Sequence, residues 1–364
     1  ILISFLGIIS SKNYNEDYYL HKLDSLLSTS IKKQLVSDAP LGVFLSGGLD
    51  SSILSSIASK SITGKLKTYS VGFKEKGYDE TSKARLISKY IGSEHTEVFV
   101  EKDDFFKNLS KIIEIKDTPL SIPHEYPIFL LGKKMKEDIK VVISGEGADE
   151  FFGGYSRVQK SPIDFLKTKY LGNLTNYKFL SKIFSIDKNF DFKNSEFLDY
   201  FFHKYNWFSF KETNELLSAD ANNQVDIEEV KSPWKEILVK YSSCNYYEQI
   251  MLMFQNNHLE CLLDRLDVMT MANSIEARVP FLDHELIEFI NTVPFKYKIR
   301  WKSQFNKFKS LFSNNFIFSE KYDTNKYLLR KLGHKYLPNQ IAREKKLGFP
   351  LPMNDWMRDK RIKE

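Results

Sequence analysis

The chain has 364 residues, 42% of them hydrophobic, enough to bury a sizeable core and to make two domains the expectation. Its net charge of +6 is modest for this length and its lysines are widely spread, which reads as a solvated basic surface and argues against a nucleic-acid partner. The only cysteines, Cys244 and Cys261, form no CxxC or Cys/His cluster, so a zinc site or disulfide framework is not expected and a reducing cytoplasm fits.

The opening Ile1 to Ile9 is apolar but falls well short of the roughly 20 residues a membrane span needs. It also lacks a basic flank and a cleavage site, so it reads as a buried strand or a linker, and no membrane partner is expected. The chain does not start with Met, which suggests a missing upstream part. Leu20, Leu23, Leu27, Ile31 and Leu35 follow helical spacing, predicting an amphipathic helix from Glu16 to Val36 that Pro40 ends. A strand follows at Gly42 to Leu45, then Ser46-Gly47-Gly48-Leu49-Asp50-Ser51-Ser52, then a helix from Ser51 to Lys60. A strand, a glycine turn and a helix start make an anion site, because glycines admit a close backbone and first-turn amides point outward. The serine hydroxyls and Asp50 suit a phosphate chain held with a cation.

Strands are predicted at Leu66–Phe73 and Glu94–Val100, separated by a helix Glu80–Ile91 with Asp79 as its cap and Gly92 at its end. A helix Ile128–Met135 leads to the apolar strand Lys140–Ile143 and a second loop, Ser144-Gly145-Glu146-Gly147. Strands alternating with helices imply a covered parallel sheet, whose ligands sit beyond the strand C-termini. From about Ser161 the strands fade and helices take over at 195–205, 246–273 and 284–290, the last capped by Asp283 and stopped by Pro294. Three regions are therefore expected: 1–37, a linker and helix; 38–160, the α/β core; and 161–364, mainly helical and truncated at its end.

No Walker A loop is present and no dinucleotide fingerprint follows the first strand. The string SGGLDSS instead resembles the pyrophosphate loop of the N-type ATP pyrophosphatases. Ser144 to Tyr155, SGEGADEFFGGY, resembles the SGEGxDExxGGY motif of the asparagine synthetase family. Further matches run in the family's order: Thr68–Phe73, Leu263–Asp267, Met271–Asp283, Lys326–Arg330 and Lys346–Pro350. The resemblance covers Glu16 to the end and is weakest between Arg157 and Asn257. It implies an α/β fold with a parallel-sheet, adenine-nucleotide α-hydrolase-like (ATP pyrophosphatase) core, followed by the mainly helical region.

It also implies roles. ATP's pyrophosphate would lie on Ser46, Gly47, Gly48, Ser51 and Ser52, and adenosine against Leu45, Val71, Ser144 and Gly145. Lys346 would contact phosphate, and Asp50 and Asp149 would hold Mg²⁺. A substrate carboxylate would attack the α-phosphorus to give an acyl-adenylate, which ammonia would convert to the amide. Glu146 would accept ammonia's proton, Lys326 would stabilise the charged intermediate and Glu150 would bind substrate. Plainer alternatives stand beside these: a turn carboxylate for Glu146, a helix-start charge pair for Asp149 and Glu150, solvated lysines for Lys326 and Lys346. Arg278 and Asp283 are expected to organise the helical region, and His124 and His258 to serve as core or surface residues.

Complete asparagine synthetases carry an N-terminal glutaminase domain with a nucleophilic cysteine, and no cysteine precedes Cys244. The chain is therefore expected to use free ammonia or a partner glutaminase domain or subunit, with a homodimer among the possible assemblies. Some aspartate-using members carry Thr-Thr-x-Arg where this chain has Asp117-Thr118-Pro119-Leu120-Ser121-Ile122-Pro123-His124-Glu125-Tyr126. Without that arginine a bidentate carboxylate clamp must come from elsewhere. Aspartate is the leading acceptor, with sugar uronates of surface polysaccharides as the alternative and a non-catalytic nucleotide-binding remnant as a third reading. A tRNA-thiolating relative would show reactive cysteine pairs, which are missing.

Overall fold

Asn15 opens the first helix, α1 (Glu16–Gln34), by accepting a hydrogen bond from the Tyr18 amide, a cap of the kind that contributes about 1 kcal/mol. Glu16 and Asp17 sit at its positive end and Lys32 and Lys33 at its negative end, both matched to the helix dipole. Its heptad-like stripe is buried: Tyr19, Leu23, Leu27 and Ile31 are each at most 1% exposed. The computed structural model describes residues 14–343 and 351–358, apart from 76, 119–122, 172–177, 187–189, 191–194 and 207.

These residues divide into two compact units. The first takes the chain up to Ala148, Cys261–Thr292 and the chain from Leu328 onward. Its centre is a five-stranded, wholly parallel sheet of β1 (Leu41–Phe44), β2 (Lys67–Phe73), β3 (Glu94–Val100), β4 (Val141–Ile143) and β5 (Glu276–Arg278). The strand order is β3-β2-β1-β4-β5. The chain thus builds outward from β1 on one side, then returns to place β4 on the other. That reversal between β1 and β4 is the crevice where ligands of open parallel sheets bind.

Helices α2 (Leu49–Ser59), α3 (Thr81–Ile91), α4 (Lys102–Lys116) and α5 (Glu125–Met135) connect and cover the strands. Tyr69, Val71, Phe105, Phe129, Met135 and Val142 belong to one buried cluster that ties β2, β4, α4 and α5 together. α2 starts at Leu49, two residues before the predicted start, because Gly48 already serves as its N-cap. Asp79 acts one position outside the cap, its carboxylate accepting from the Thr81 amide at 3.0 Å, and Gly92 closes α3 at φ +68° as its position predicts. α4 and β5 were not predicted.

The second unit comprises Asp149–Glu260 and Val293–Tyr327. Helices around Phe165, Phe197, Tyr200, Phe201, Met253 and Phe254 share an aromatic core, with one two-stranded antiparallel ladder of β6 (Arg300–Trp301) and β7 (Asp323–Thr324). The helix predicted over 246–273 is interrupted by a π-helical stretch, Phe254–His258. Among the described residues no helix is long and apolar enough to cross a membrane.

The division predicted at 160 and 161 differs from the one the contacts make, for a hydrogen-bonding reason. β5 pairs with β4 at Val141↔Glu276, so the stretch after Cys261 completes the sheet. Arg278 donates to the carbonyls of Gln34 and Val36 at the end of α1, and Ser30 Oγ donates to Pro280 O at 2.7 Å. Asp283 does cap the helix His284–Thr292, accepting from the Glu285 amide at 3.1 Å. Arg278 and Asp283 therefore organise the sheet unit, not the helical one.

Candidate active site

Gly47 takes φ +76°, a conformation that favours glycine, and turns the chain sharply between β1 and α2. A Cβ there would stand 2.6 Å from the Ala84 amide nitrogen, so no other residue fits without displacing α3. The serines lock the turn from within. Ser51 Oγ accepts from the Ser46 amide at 3.2 Å and lies 3.0 Å from Ser46 Oγ, and the Gly48 amide donates to Ser46 Oγ at 3.3 Å. Ser46 and Gly48 remain exposed while Ser51 and Ser52 are buried beneath them. Ser52 Oγ finds no hydrogen-bond partner among the described residues. Asp50 sits in the first turn of α2, where the backbone amides and the helix dipole favour an anion.

The second loop lies directly beside the first. The Ser144 amide donates to Arg278 O at 2.8 Å, continuing the β4–β5 ladder to its last register. Gly145 then passes so close that a Cβ there would stand 3.5 Å from the Ser51 amide nitrogen and 3.6 Å from the Asp50 Cβ. The loops that follow β1 and β4 thus meet at the reversal point of the sheet. Gly147, at φ +92°, is forced by Leu282, which a Cβ would approach to 2.3 Å. Glu146 Oε1 accepts from Arg265 at 2.8 Å, an ion pair of which only 24% and 13% of the respective side chains is exposed. Leu45 is fully buried and its amide donates to Tyr69 O; Val71 belongs to the core cluster. Both can offer a nucleotide only backbone edges and apolar surface.

Within the helical unit, Lys326 Nζ lies 2.6 Å from Asp149 Oδ1. Lys326 is 3% exposed and holds φ +47°, a left-handed conformation that is costly for a residue with a side chain. The space between them exists because residue 154 is glycine: a Cβ there would fall 1.5 Å from Asp149 Oδ1 and 2.6 Å from Lys326 Cε. The Gly154 amide also donates to Asp149 O at 2.9 Å. Glu150 is 1% exposed and accepts from the Tyr155 hydroxyl at 2.7 Å. Tyr155 stacks on Phe254 of the π-helical stretch, and His258, from the same stretch, meets Tyr155 edge-on and the Tyr205 hydroxyl at 2.7 Å. His258 is thereby a structural residue, as expected.

The structure brings together Ser46, Gly47, Gly48, Asp50, Ser51, Ser52, Ser144, Gly145 and Glu146 in the sheet unit, and Asp149, Glu150 and Lys326 in the helical unit. Lys346 lies outside the described residues. Two contributors carried no role in the sequence reading. Arg265 stands 119 positions from Glu146, and Tyr155 ends the SGEGADEFFGGY string without being assigned a task. A motif position without a role is the one signal that could have drawn attention to Tyr155.

The donors gathered here are carboxylate, hydroxyl and amide, with no thiol or imidazole, which suits a hard cation with phosphate. Among the described residues no three His, Cys, Asp or Glu side chains form a metal-holding group. With nucleotides, Mg²⁺ usually takes phosphate oxygens beside one or two carboxylates.

A family model described as asparagine synthase matches residues 22–364. Glutamine-hydrolysing asparagine synthetase 1 of Bacillus subtilis is 28% identical over 94% of this chain and 51% of its own length. Asparagine synthetase 3 of the same bacterium is 28% identical over 90% of this chain and 47% of its own. The enzyme of Zea mays reaches 35% over 43% of this chain and 28% of its own. The chain thus spans about half the length of the first two.

Proposed function

Because this chain belongs to the asparagine synthase family, we propose that it activates a carboxylate with ATP, releasing pyrophosphate, and passes the acyl group to ammonia to form an amide. The observation that carries this reading is the meeting of the Ser46–Ser52 and Ser144–Glu146 loops, with Gly145 against the Ser51 amide, at the point where the sheet reverses. A Walker lysine is missing, so the phosphates rest on amides and hydroxyls that can hold the β,γ-pyrophosphate as it leaves.

In the first step a carboxylate oxygen forms a bond to the α-phosphorus and the bond to pyrophosphate breaks. Asp50 and Asp149 are the proposed ligands of Mg²⁺, which when bound neutralises the phosphates. Asp149 must then exchange its contact with Lys326, releasing that ammonium to the charge that develops on the activated carbonyl. In the second step ammonia attacks the carbonyl carbon, AMP leaves, and Glu146 takes the proton. Arg265 fixes the orientation of the Glu146 carboxylate for this task. Glu150, held by Tyr155, is proposed to address the substrate, and Lys346 the phosphates.

Aspartate is the first proposed acceptor. A sugar uronate is the second, favoured by the missing arginine in the stretch 117–126. A partner glutaminase domain or subunit is the proposed alternative to free ammonia, and the cytoplasm the proposed location. Pyrophosphate release should be measured with ATP, Mg²⁺ and ammonium across aspartate and a set of uronic acids. One acceptor should support turnover, with Glu146→Gln retaining adenylation but losing amide formation by about 10²-fold or more. A folded chain that binds ATP yet releases no pyrophosphate with any acceptor would instead be a nucleotide-binding remnant.

A further inference from the structure

A short helix of the second unit, Gln304–Ser310, is turned the wrong way round for a protein in water. Phe305, Phe308 and Phe312 recur at helical spacing, yet they are 63%, 57% and 41% exposed, while Ser310 and Ser313 are the residues buried at 2% and 7%. Surface helices do the opposite, placing apolar stripes inward. The exposed stripe extends through Leu311 (44%), Phe316 (50%) and Ile317 (49%), and of the large hydrophobics between 302 and 321 only Phe318 is buried. Among the described residues Phe184 stacks on Phe312 and two cations stand over Phe316, yet all six side chains stay 41–63% exposed. A contiguous apolar patch of this kind marks an interaction surface.

Its surroundings are cationic. Lys302, Lys307, Lys309 and Lys321 are exposed within the same 20 residues, against one acid, Glu320. Lys309 Nζ lies 4.4 Å from the Phe305 ring centroid, and Arg157 and Lys204 stand 5.3 Å and 5.1 Å from that of Phe316. Each of these cations stands over a ring of the apolar face.

The composition selects the occupant. Protein interfaces are depleted in lysine and rely on Tyr, Trp and Arg as anchors. A nucleic-acid duplex would meet the lysines but leave the phenyl rings in water. Phenylalanines beside lysines fit a surface that offers hydrocarbon just below negative charge. We propose that this face seats the protein peripherally on an anionic lipid surface, with the phenyl rings in the headgroup–acyl boundary and the lysines on lipid phosphates. No membrane-spanning helix is required, because such a face sinks only a few ångströms into the interface. The proposal is independent of the ligase reading.

The test is co-sedimentation of the full chain with vesicles of phosphatidylcholine alone and of phosphatidylcholine mixed with phosphatidylglycerol. Partition onto the anionic vesicles should exceed that onto the neutral ones by at least about tenfold at low salt and fall as salt is added. Lys307→Gln and Lys309→Gln, both exposed, should each weaken it by roughly fivefold with the melting temperature retained. Phe305→Ser with Phe308→Ser should abolish partition while the melting temperature is retained. Equal partition onto both vesicle types would overturn the proposal, as would undiminished binding by the phenylalanine variant. A dimer seen by light scattering and lost in that variant would overturn it too, and would assign the face to a second copy of this chain.

Discussion

Two buried lysines of the helical unit share a lowered ionisation but differ in their partners. Burial pushes the Lys298 ammonium down to about 8, with the Glu248 charge only partly opposing. Burial pushes Lys160 down to about 8 as well, but Asp323 lies 3.3 Å away and the Trp301 ring centroid 3.5 Å away. Between the folded value near 8 and the unfolded value near 10.5, the unfolded chain binds a proton at Lys298 that the folded chain does not. Stability from this group therefore rises with pH through that window, and below it the folded state carries the full cost of a buried charge. Lys298→Met should raise stability at pH 7 by roughly 1–3 kcal/mol, a gain that fades toward pH 10 and is measurable by urea unfolding at both values. Lys160→Met should instead lower it by about 3 kcal/mol, since it strands a carboxylate that is 1% exposed. If both substitutions destabilise equally at pH 7, desolvation is not what sets the Lys298 ionisation.

Elements made by one or two residues of unusual shape carry the candidate site, and these differ in how far a sequence displays them. The SGG turn was legible because it follows a strand, precedes a helix and needs a left-handed glycine at one position, Gly47. The position of Gly154 in its motif was equally legible, but not its reason: the Asp149–Lys326 pair it accommodates joins residues far apart in the chain. Gly154→Ala would drive a methyl group into Asp149 Oδ1. It should reduce pyrophosphate release by at least about tenfold, with the melting temperature within a few degrees of the parent. Normal turnover by a folded Gly154→Ala chain would show that the Asp149–Lys326 contact is dispensable. Tyr155→Phe tests the neighbouring contact. It leaves Glu150, 1% exposed, short of one donor and should raise KM for the carboxylate more than it lowers kcat. α4 and β5 were missed differently. α4 carries Phe105, Leu109 and Ile112 at helical spacing, so its signal was present in the sequence and was passed over, whereas β5 is three residues long, too short for any alternation to register.

At the scale of the molecule, the sheet unit is assembled from three separated stretches of chain, and composition hid this. Residues after Ser161 read as a helical region because helices do dominate them, but a change in composition cannot reveal which helices return to the sheet. Three bonds make the return specific: β5 against β4, Arg278 on the last carbonyls of α1, and Ser56 Oγ on Tyr336 O at 2.9 Å. Removing the later stretches would expose β4 as an edge strand, and its three residues are at most 3% exposed in the whole chain. Leu23, Leu27 and Ile31 on α1 would also lose part of their cover, since α1 packs on the Pro280–Leu282 turn and on the helix His284–Thr292. Burial of each such side chain contributes about 1.5–3 kcal/mol, a large share of the 5–15 kcal/mol by which domains are stable. A chain ending at Glu260 should therefore fail to fold its sheet, although it retains four of the five strands and both glycine-containing loops that follow β1 and β4. The expected result is an insoluble or protease-sensitive product with no cooperative melting transition. Adding the remainder as a separate polypeptide, residues 261–364, should restore protease resistance to the first piece. A soluble, cooperatively melting fragment 14–260 would mean that the first four strands suffice for the core and that β5 merely decorates its edge.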